Sequence, residues 1–451
     1  MPLPELIEIV PPTRPVRAEV TVPGSKSITN RALVLAALAA GDVTLEGALW
    51  SEDTQVMIEA LRKLGFAIAV TPEPDEPCNR RITVRGLGGR IPHGGTRASP
   101  LDLFVGNAGT AARFLAALAC LGNGVYRLAG SPRMHERPQA ALLAALRQLG
   151  CRVESSSDRL PAVIHGMGTA AAAAPRRCTV NIQESSQFAS ALLLCARTGG
   201  WQVEVVGQDA ETAPYVTMTR RLLEVFPHRG GCFQIEPDAS SGSYFWAAGW
   251  LLSAPGAPTN KAPVPGWWRE ASPVQVRHWP TSGWQVDAAF PDFLPLPRTV
   301  SRRDQLGDSI LTAIALAADA AACPGRAADE GVVFTELGRL RLQECERVAA
   351  IRTELTRCGA RVVEAGDTLT VYPGRLHGAT LQTYNDHRLA MCLAILGLNV
   401  PGIRLHNPAC VRKTFPSFFQ KLAAPPPAGT GVTILNAQTG GRLREDELFA
   451  G

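Results

Sequence analysis

The sequence lacks most of the patterns that mark the common non-enzymatic classes. Its net charge is only +5 over 451 residues, without a basic run or tail, which argues against a nucleic-acid partner. The 11 cysteines include no C-x-x-C pair, so we expect neither a zinc site nor a disulfide framework. Apolar stretches such as ALVLAALAA are too short to cross a bilayer, and the N-terminus lacks the apolar core of a secretory signal. These absences favour a cytoplasmic chain that acts on small molecules, and we expect it to be a monomer.

A nucleotide-binding loop is also missing, although the segment 22–41, VPGSKSITNRALVLAALAAG, resembles half of one. A Gly-Ser-Lys-Ser turn that leads into a helix presents backbone N–H groups and a cation to an anion. A Walker A loop needs glycines at the positions of Val20 and Ser25, so the ATP interpretation fails, and no dinucleotide fingerprint is convincing. Lys26, Ser27 and Arg31 are instead predicted to converge at one end of the helix as part of an anion site.

What the sequence does contain is a weak internal repeat of α/β units. Three segments, IEALRKLGFAIAV, LAALRQLGCRVES and RTELTRCGARVVE, each read as a helix with basic residues in its last turn, then a glycine, then a strand. Gly65, Gly150 and Gly359 fit the left-handed helix C-cap. The length suggests two or three domains. The segment 254–307 reads as an irregular connector, and residues 426–451 read as a tail outside the core.

Many of the apolar helices begin at a polar cluster. Taken alone, each cluster is explained almost equally well by helix capping or a surface ion pair. Taken together, they predict a cleft lined by helix N-termini that binds polyanionic substrates, with two carboxylates available for acid–base chemistry. No metal-ligand cluster or cofactor fingerprint is present. The candidate residues are Lys26, Arg31, Asn107, Gly109, Thr110, Arg113, Arg133, Ser185, Ser186, Gln187, Asp308, Glu344, Arg347, Arg388 and Lys413.

Seven segments, in the same order along the chain, resemble the 5-enolpyruvylshikimate-3-phosphate (EPSP) synthase family. They are PGSKSITNRALVLAALAAG, GNAGTAARFL, SPRMHERP, ESSQFASALL, DASSGSYF, TYNDHR and RKTFPSFF, spread from about residue 20 to about residue 422. The related UDP-N-acetylglucosamine enolpyruvyl transferases carry a reactive cysteine in a Gly-rich basic loop. None of the 11 cysteines here lies in such a loop.

The resemblance implies an α/β fold of two similar domains, each built from three βαβαββ units (the enolpyruvyl transferase fold, an inside-out α/β barrel). It places the active site in the interdomain cleft. The first domain would combine residues 1–21 with 243–425, the second would span 22–242, and 426–451 would form the C-terminal tail.

The implied reaction transfers the enolpyruvyl group of phosphoenolpyruvate (PEP) to the 5-hydroxyl of shikimate 3-phosphate, on the route to chorismate and the aromatic amino acids. By resemblance, Asp308 is the base toward the 5-hydroxyl, and Glu344, with Lys26, protonates C3 of PEP. Neither a metal nor an organic cofactor is implied. The residues implied to bind shikimate 3-phosphate are Lys26, Ser27, Arg31, Ser185, Ser186, Gln187, Thr212, Tyr215, Asp308, Arg339 and Gln343. Those implied to bind PEP are Lys26, Asn107, Gly109, Thr110, Arg113, Arg133, Gln187, Arg347, Arg388 and Lys413.

Two residues depart from the family pattern. Gln343 stands where a lysine near shikimate 3-phosphate is common, and Arg339 is predicted to compensate if the segment between them is helical. Phe114 stands where proline is common, beside the PEP turn, and is predicted to alter sensitivity to the family's inhibitor glyphosate. Equal inhibition of the wild type and Phe114→Pro would contradict that prediction.

Two alternatives remain open at the level of sequence. One is a carboxyvinyl transferase for another phosphorylated or sugar-like acceptor, which Gln343 and the segment 254–307 favour. The other is a binding module that kept the pocket without catalysis. Retention of both Asp308 and Glu344 argues against the second alternative.

Overall fold

The computed structural model describes residues 3–169, 175–207, 213–253 and 267–451, and within them the predicted α/β fold is confirmed. The strands are β1 (Leu6–Val10), β2 (Ala18–Val20), β3 (Asp42–Leu49), β4 (Ile68–Pro72), β5 (Asn79–Arg85), β6 (Leu101–Phe104), β7 (Val125–Ala129), β8 (Arg152–Glu154), β9 (Ala162–His165), β10 (Arg176–Asn181), β11 (Trp201–Val206), β12 (Gly231–Gln234), β13 (Val274–Val276), β14 (Thr299–Ser301), β15 (Val332–Thr335), β16 (Arg361–Ala365), β17 (Thr368–Tyr372), β18 (Thr380–Gln382), β19 (Ile403–His406) and β20 (Thr433–Asn436). The α-helices are α1 (Lys26–Leu38), α2 (Glu52–Lys63), α3 (Gly109–Ala119), α4 (Pro132–Glu136), α5 (Ala140–Gln148), α6 (Gln187–Gly199), α7 (Pro214–Val225), α8 (Ala239–Leu251), α9 (Trp267–Ala271), α10 (Ile310–Ala317), α11 (Arg347–Arg357), α12 (His387–Leu396) and α13 (Phe418–Ala423).

The chain divides into two compact units. One combines Met1–Pro23 with Pro237–Gly451, and the other is Gly24–Glu236. The predicted boundaries at 21/22 and 242/243 therefore move to 23/24 and 236/237. The second boundary moves because Asp238 caps α8, its Oδ1 accepting a hydrogen bond from the Ser241 backbone N–H at 2.7 Å, so the whole helix belongs to one unit.

The sheets repeat one pairing pattern in both units. The Gly24–Glu236 unit contains the strand orders β12-β3-β5-β4, β6-β7-β9-β8 and β10-β11, and the other unit contains β18-β19-β1-β20, β14-β15-β17-β16 and β13-β2. In every four-stranded sheet, the first pair is parallel and the other two pairs are antiparallel. Both two-stranded sheets are parallel. Among the described residues, each unit thus holds two four-stranded sheets of one pairing pattern and a parallel two-stranded sheet, in agreement with the three-part domains that the resemblance implies.

The predicted helix–glycine–strand signal is confirmed at all three places. Gly65, Gly150 and Gly359 follow α2, α5 and α11 with φ of 96°, 90° and 91°. Glycine adopts this left-handed conformation without the steric cost that a Cβ would impose. Strands β4, β8 and β16 begin two or three residues later. This part of the fold can be predicted from the sequence because the backbone itself requires a glycine at the end of each helix.

The sequence predicts that residues 426–451 form a tail outside the core, and this prediction is wrong. Strand β20 pairs antiparallel with β1, with Ile9 opposite Ile434, and it closes a four-stranded sheet. Leu443 and Leu448 are buried in the same core. The Pro-rich stretch 425–427 reads as the start of a linker, but the alternating pattern of VTILN that follows is that of a strand.

The segment 254–307 is only partly an irregular connector. Residues 254–266 lie outside the described residues, but the remainder contributes α9, β13 and β14. Strand β13 pairs with β2, and Trp268, Phe290 and Leu294 are buried in the core. The segment therefore belongs to the fold of the unit that contains it.

Two further predictions concern the thiols and the membrane. All 11 cysteines fall within the described residues; none of them forms a disulfide, and nine are buried. Over the same described ranges, no helix combines the length and apolarity that a membrane crossing requires.

Candidate active site

In the Gly24–Glu236 unit, the helices α1, α3, α6 and α7 pack against one another, and the predicted residues lie at or near their N-terminal ends. Lys26 begins α1, and its Nζ lies 3.2 Å from Oδ2 of Asp53, in the first turn of α2. Asp53 is buried, so it fixes the position of the lysine. Gly24 is required because a Cβ there would lie 1.9 Å from the Gly47 carbonyl oxygen. The turn that resembles half a phosphate loop therefore packs closely against the backbone at Gly47.

Arg31 is a buried cation, with only 1% of its surface exposed. Its guanidinium donates to Thr219 Oγ1 at 2.8 Å, to Ser190 Oγ at 2.9 Å and to the Ser27 carbonyl at 2.8 Å. Burial lowers the pKa of Arg31 to about 10, which still leaves it protonated at neutral pH. No carboxylate among the described residues pairs with this charge. Burial of an unpaired charge is costly, so a bound anion would stabilise this arginine.

Phe114 lies directly beside this cation. The centre of its ring is 5.3 Å from Arg31 Cζ, and the side chain is fully buried. The residue that replaces the common proline therefore stacks on the arginine that the resemblance assigns to shikimate 3-phosphate.

The turn that begins α3 joins residues from two segments. Arg113 donates from Nη1 to Gln187 Oε1 at 3.4 Å and from Nη2 to the Pro138 carbonyl at 3.0 Å. Gln187 in turn donates to Thr110 Oγ1 at 3.3 Å. Arg137, which the sequence did not single out as a site residue, donates to the Asn107 carbonyl at 3.1 Å. We call Lys26, Arg31, Arg113 and Arg137, together with the neutral Gln187 that accepts from Arg113, the cation cluster.

The remaining predicted residues of this unit are less closely tied to the cluster. Ser185 Oγ accepts from the Gln187 backbone N–H at 3.2 Å, and Ser186 precedes α6. Tyr215 lies in the first turn of α7, its ring centre 5.9 Å from Arg31 Cζ. Arg133 is partly exposed and pairs with Glu136 at 2.7 Å. Thr212 lies outside the described residues.

In the other unit, three predicted cations and both predicted acids come together. Asp308, just before α10, has Oδ2 3.0 Å from Arg388 Nη2 and Oδ1 3.9 Å from Arg347 Nη1. Glu344 has Oε2 2.9 Å from Arg347 Nη2 and Oε1 3.4 Å from Lys413 Nζ. Sequence reasoning favoured a surface pair for Glu344 and Arg347, but their side chains are 8% and 1% exposed, respectively.

Arg347 is the centre of this arrangement. It donates to Asp386 Oδ2 from Nε at 2.7 Å and to Asp386 Oδ1 from Nη2 at 3.1 Å, and it also donates to the Gln343 side-chain oxygen. Burial alone would lower the pKa of Arg347, but Asp386, Glu344 and Asp308 raise it above its ordinary value. Asp386 also caps α12 by accepting from the Arg388 backbone N–H at 2.9 Å. We call Asp308, Glu344 and Asp386, with Arg347, Arg388 and Lys413, the carboxylate cluster.

Asp287 is a buried acid that sequence reasoning missed. Its Oδ1 accepts from the Gly307 backbone N–H at 2.7 Å and from Ser309 Oγ at 2.6 Å, and it also bonds the hydroxyl of Ser240. These bonds fix the turn that carries Asp308. Burial, and after it the Asp308 charge, raises the pKa of Asp287. Its supporting role becomes evident only in the folded chain, where it bonds the residues on either side of Asp308.

Known proteins resemble this chain in sequence over most of its length. The family model for EPSP synthase (3-phosphoshikimate 1-carboxyvinyltransferase) matches residues 10–254 and 305–422. The 3-phosphoshikimate 1-carboxyvinyltransferase of Opitutus terrae is 38% identical over 94% of this chain and 98% of its own. The enzyme of the same name from Trichormus variabilis is 36% identical over 90% of this chain and 96% of its own.

Solved structures resemble the chain in fold. The EPSP synthase of Acinetobacter baumannii has a TM-score of 0.65 at 19% identity, covering 95% of this chain and 99% of its own. The enolpyruvyl transferase NikO of Streptomyces tendae has a TM-score of 0.63 at 17% identity, covering 96% of this chain and 99% of its own. With a matching family model and relatives above 30% identity over nearly the whole length, this chain belongs to the EPSP synthase family.

Proposed function

We propose that this chain transfers the enolpyruvyl group of PEP to the 5-hydroxyl of shikimate 3-phosphate and releases inorganic phosphate, as a monomer in the cytoplasm. The observation that carries the proposal is the carboxylate cluster, in which two acids from different elements share Arg347 as a partner. Both substrates are anions, and the chain supplies buried cations in both units. The buried thiols suit a reducing compartment.

The proposed chemistry assigns one proton transfer to each acid. Asp308 accepts the proton of the 5-hydroxyl as its oxygen forms a bond to C2 of PEP. Glu344, with Lys26, delivers a proton to C3, which becomes a methyl group in a tetrahedral intermediate. The C2–O bond to phosphate then breaks, and loss of a methyl proton restores the double bond. Charge stabilisation by the fixed guanidinium and ammonium groups supplies the largest catalytic effect, and the proposed reaction requires no cofactor.

The remaining assignments divide by substrate. We propose that Arg113, Arg347, Arg388 and Lys413 bind the phosphate and carboxylate of PEP. Asn107, Gly109 and Thr110 at the turn that begins α3, Arg133 in α4 and Gln187 at the start of α6 assist them. Lys26, Ser27, Arg31, Ser185, Ser186 and Tyr215 bind shikimate 3-phosphate. Arg31 supports this role, because its three nearest partners among the described residues are neutral oxygens.

A cysteine-dependent reaction is not supported by the thiol nearest to the acids. Cys345 lies between Glu344 and Glu346, and its Sγ is 3.6 Å from Asp386 Oδ2. Burial, followed by the Asp386 charge, raises the pKa of Cys345 and so opposes formation of a nucleophilic thiolate.

The deciding experiment measures phosphate release from PEP with and without shikimate 3-phosphate. Release that depends on this acceptor supports the proposal. Release that requires a different acceptor indicates a transferase for another substrate, and no release with any acceptor indicates a binding module. In deuterium oxide, the product's vinyl group should gain deuterium, because C3 passes through a methyl group, whereas simple hydrolysis of PEP would yield no enolpyruvyl ether.

Gly109→Ala is expected to raise the KM for PEP about 10- to 100-fold, since misplacing a binding group by about 1 Å has effects of this size. The added Cβ would lie 2.4 Å from Arg113 Nη1 and 2.7 Å from Arg137 Nη2, so both guanidinium groups must move. Steady-state kinetics with each substrate varied in turn checks this. Gly374→Ala is the matched control, because a Cβ there meets nothing within 4 Å. An unchanged KM for PEP would contradict the prediction.

A further inference from the structure

Arg302 is a buried arginine that neither the family motifs nor the proposed mechanism uses. It directly follows β14, where its backbone N–H donates to the Thr335 carbonyl at 3.2 Å. Its side chain is 9% exposed and reaches Asp308, with Nη2 3.5 Å from Oδ1. Its Nε is buried and makes no hydrogen bond in the described part of the chain. A buried donor without a partner is costly, which calls for an explanation.

The ion pair with Asp308 does not explain this arginine. Asp308 already has Arg388 at 3.0 Å and Arg347 at 3.9 Å, so Arg302 is the third guanidinium within 4 Å of one carboxylate. The contact between the two groups, at 3.5 Å, is also longer than the usual N–H···O hydrogen bond of about 2.7–3.2 Å. A third cation at one carboxylate adds repulsion among the cations, and a further anion would relieve it.

Gln343 supplies no charge at the position where the resemblance leads us to expect a lysine. Its side-chain oxygen accepts a hydrogen bond from Arg347, so the amide supports that arginine. Arg339, the compensating residue that the sequence suggested, lies in the short 3-10 helix Gly338–Leu342, and Gln343 is the C-cap of that helix. That segment is helical, as the suggestion required, but a 3-10 helix has about three residues per turn, so positions four apart fall on different faces of it.

We propose that Arg302 binds the phosphate group of the acceptor and supplies the positive charge that Gln343 lacks. This inference rests on the proposed function. A guanidinium presents paired N–H donors that match two phosphate oxygens, and its unpartnered Nε is one of them. Its neighbour Asp308 is the residue proposed to act on the same acceptor. The departure from the family pattern at residue 343 is thereby compensated by a residue 41 positions earlier in the chain.

The test compares Arg302→Gln with Arg303→Gln, a matched control at the next residue. Arg303 pairs with Asp304 at 2.8 Å and Glu336 at 2.6 Å, away from Asp308. Titration calorimetry without PEP should show that Arg302→Gln weakens binding of shikimate 3-phosphate roughly 10- to 100-fold, the range for one charge-assisted contact. Binding of shikimate, which lacks the phosphate, should change less than about threefold. The control should leave both affinities unchanged.

Rescue separates binding from a purely structural role. In the Arg302→Gln background, Gln343→Lys should restore most of the affinity for shikimate 3-phosphate, and Arg302→Lys alone should retain part of it. An unchanged affinity for shikimate 3-phosphate in Arg302→Gln, or an equal loss for shikimate, would overturn the proposal. So would a loss of affinity in Arg339→Gln with none in Arg302→Gln. Because the titration needs no turnover, wild-type phosphate release tests the proposed function separately.

Discussion

Glu344→Gln is expected to lower kcat about 100- to 10,000-fold, the usual contribution of a general acid, while the dissociation constants of both substrates change little. The amide keeps the size and the planar shape of the carboxyl group. Its oxygen can still accept from Arg347 Nη2, which lies 2.9 Å from Glu344 Oε2. What the amide cannot do is deliver a proton to C3 of PEP. Single-turnover kinetics and equilibrium binding measure the two quantities separately.

Glu346→Gln is the matched control for this variant. Glu346 lies two residues away and caps α11, its Oε2 accepting from the Ala349 backbone N–H at 2.5 Å. It also pairs with Arg341 at 2.9 Å, outside the carboxylate cluster. The control should keep kcat within about twofold and lose about 1 kcal/mol of stability or less, as expected for a weakened helix cap. A near-normal kcat in Glu344→Gln would reject the assigned role.

Local signals explain which parts of the fold could be predicted from the sequence. A glycine at a helix C-cap, as at Gly150, is a requirement of the backbone itself, so it marks the end of the helix without knowledge of any partner. Asp308 and Arg388 are likewise visible because each is polar and stands at the start of a very apolar helix. The C-terminal strand was missed because its partner, β1, lies more than 420 residues away in sequence.

The pairings inside the candidate site could not be predicted, for a related physical reason. Lys26 and Arg347 are evident as isolated cations, but helix packing selects their partners Asp53 and Asp386, which lie 27 and 39 positions further along the chain. Asp287 has no sequence signal at all, because its role follows from the turn at Gly307 that it supports. Sequence patterns report where charged groups are. Only the fold determines which of them are buried together.

Arg347→Met is expected to lower the free energy of unfolding by about 3–5 kcal/mol and to abolish turnover. Asp386 is fully buried, and loss of Arg347 leaves its charge without the bonds at 2.7 and 3.1 Å. Breaking a buried pair by removing one partner has costs of this size because the remaining charge stays desolvated. Catalysis is lost as well, since Glu344 and Asp308 lose the cation that they share. Thermal and urea unfolding, with phosphate release, measure the two effects.

Arg352→Met is the control on the same helix. It shows how much stability is lost when an arginine outside the carboxylate cluster is removed from α11. Arg352 pairs with Glu364 at 3.2 Å but is 44% exposed, and pairs of that kind contribute about 0–1 kcal/mol. Adding Asp386→Asn to Arg347→Met should recover part of the lost stability, because the amide removes the stranded charge, but it should not restore turnover. If Arg347→Met destabilises the chain no more than Arg352→Met does, the carboxylate cluster is not held together by Arg347. The catalytic geometry derived from it would then have to rest on Arg388 and Lys413, which contact the same two acids from other elements.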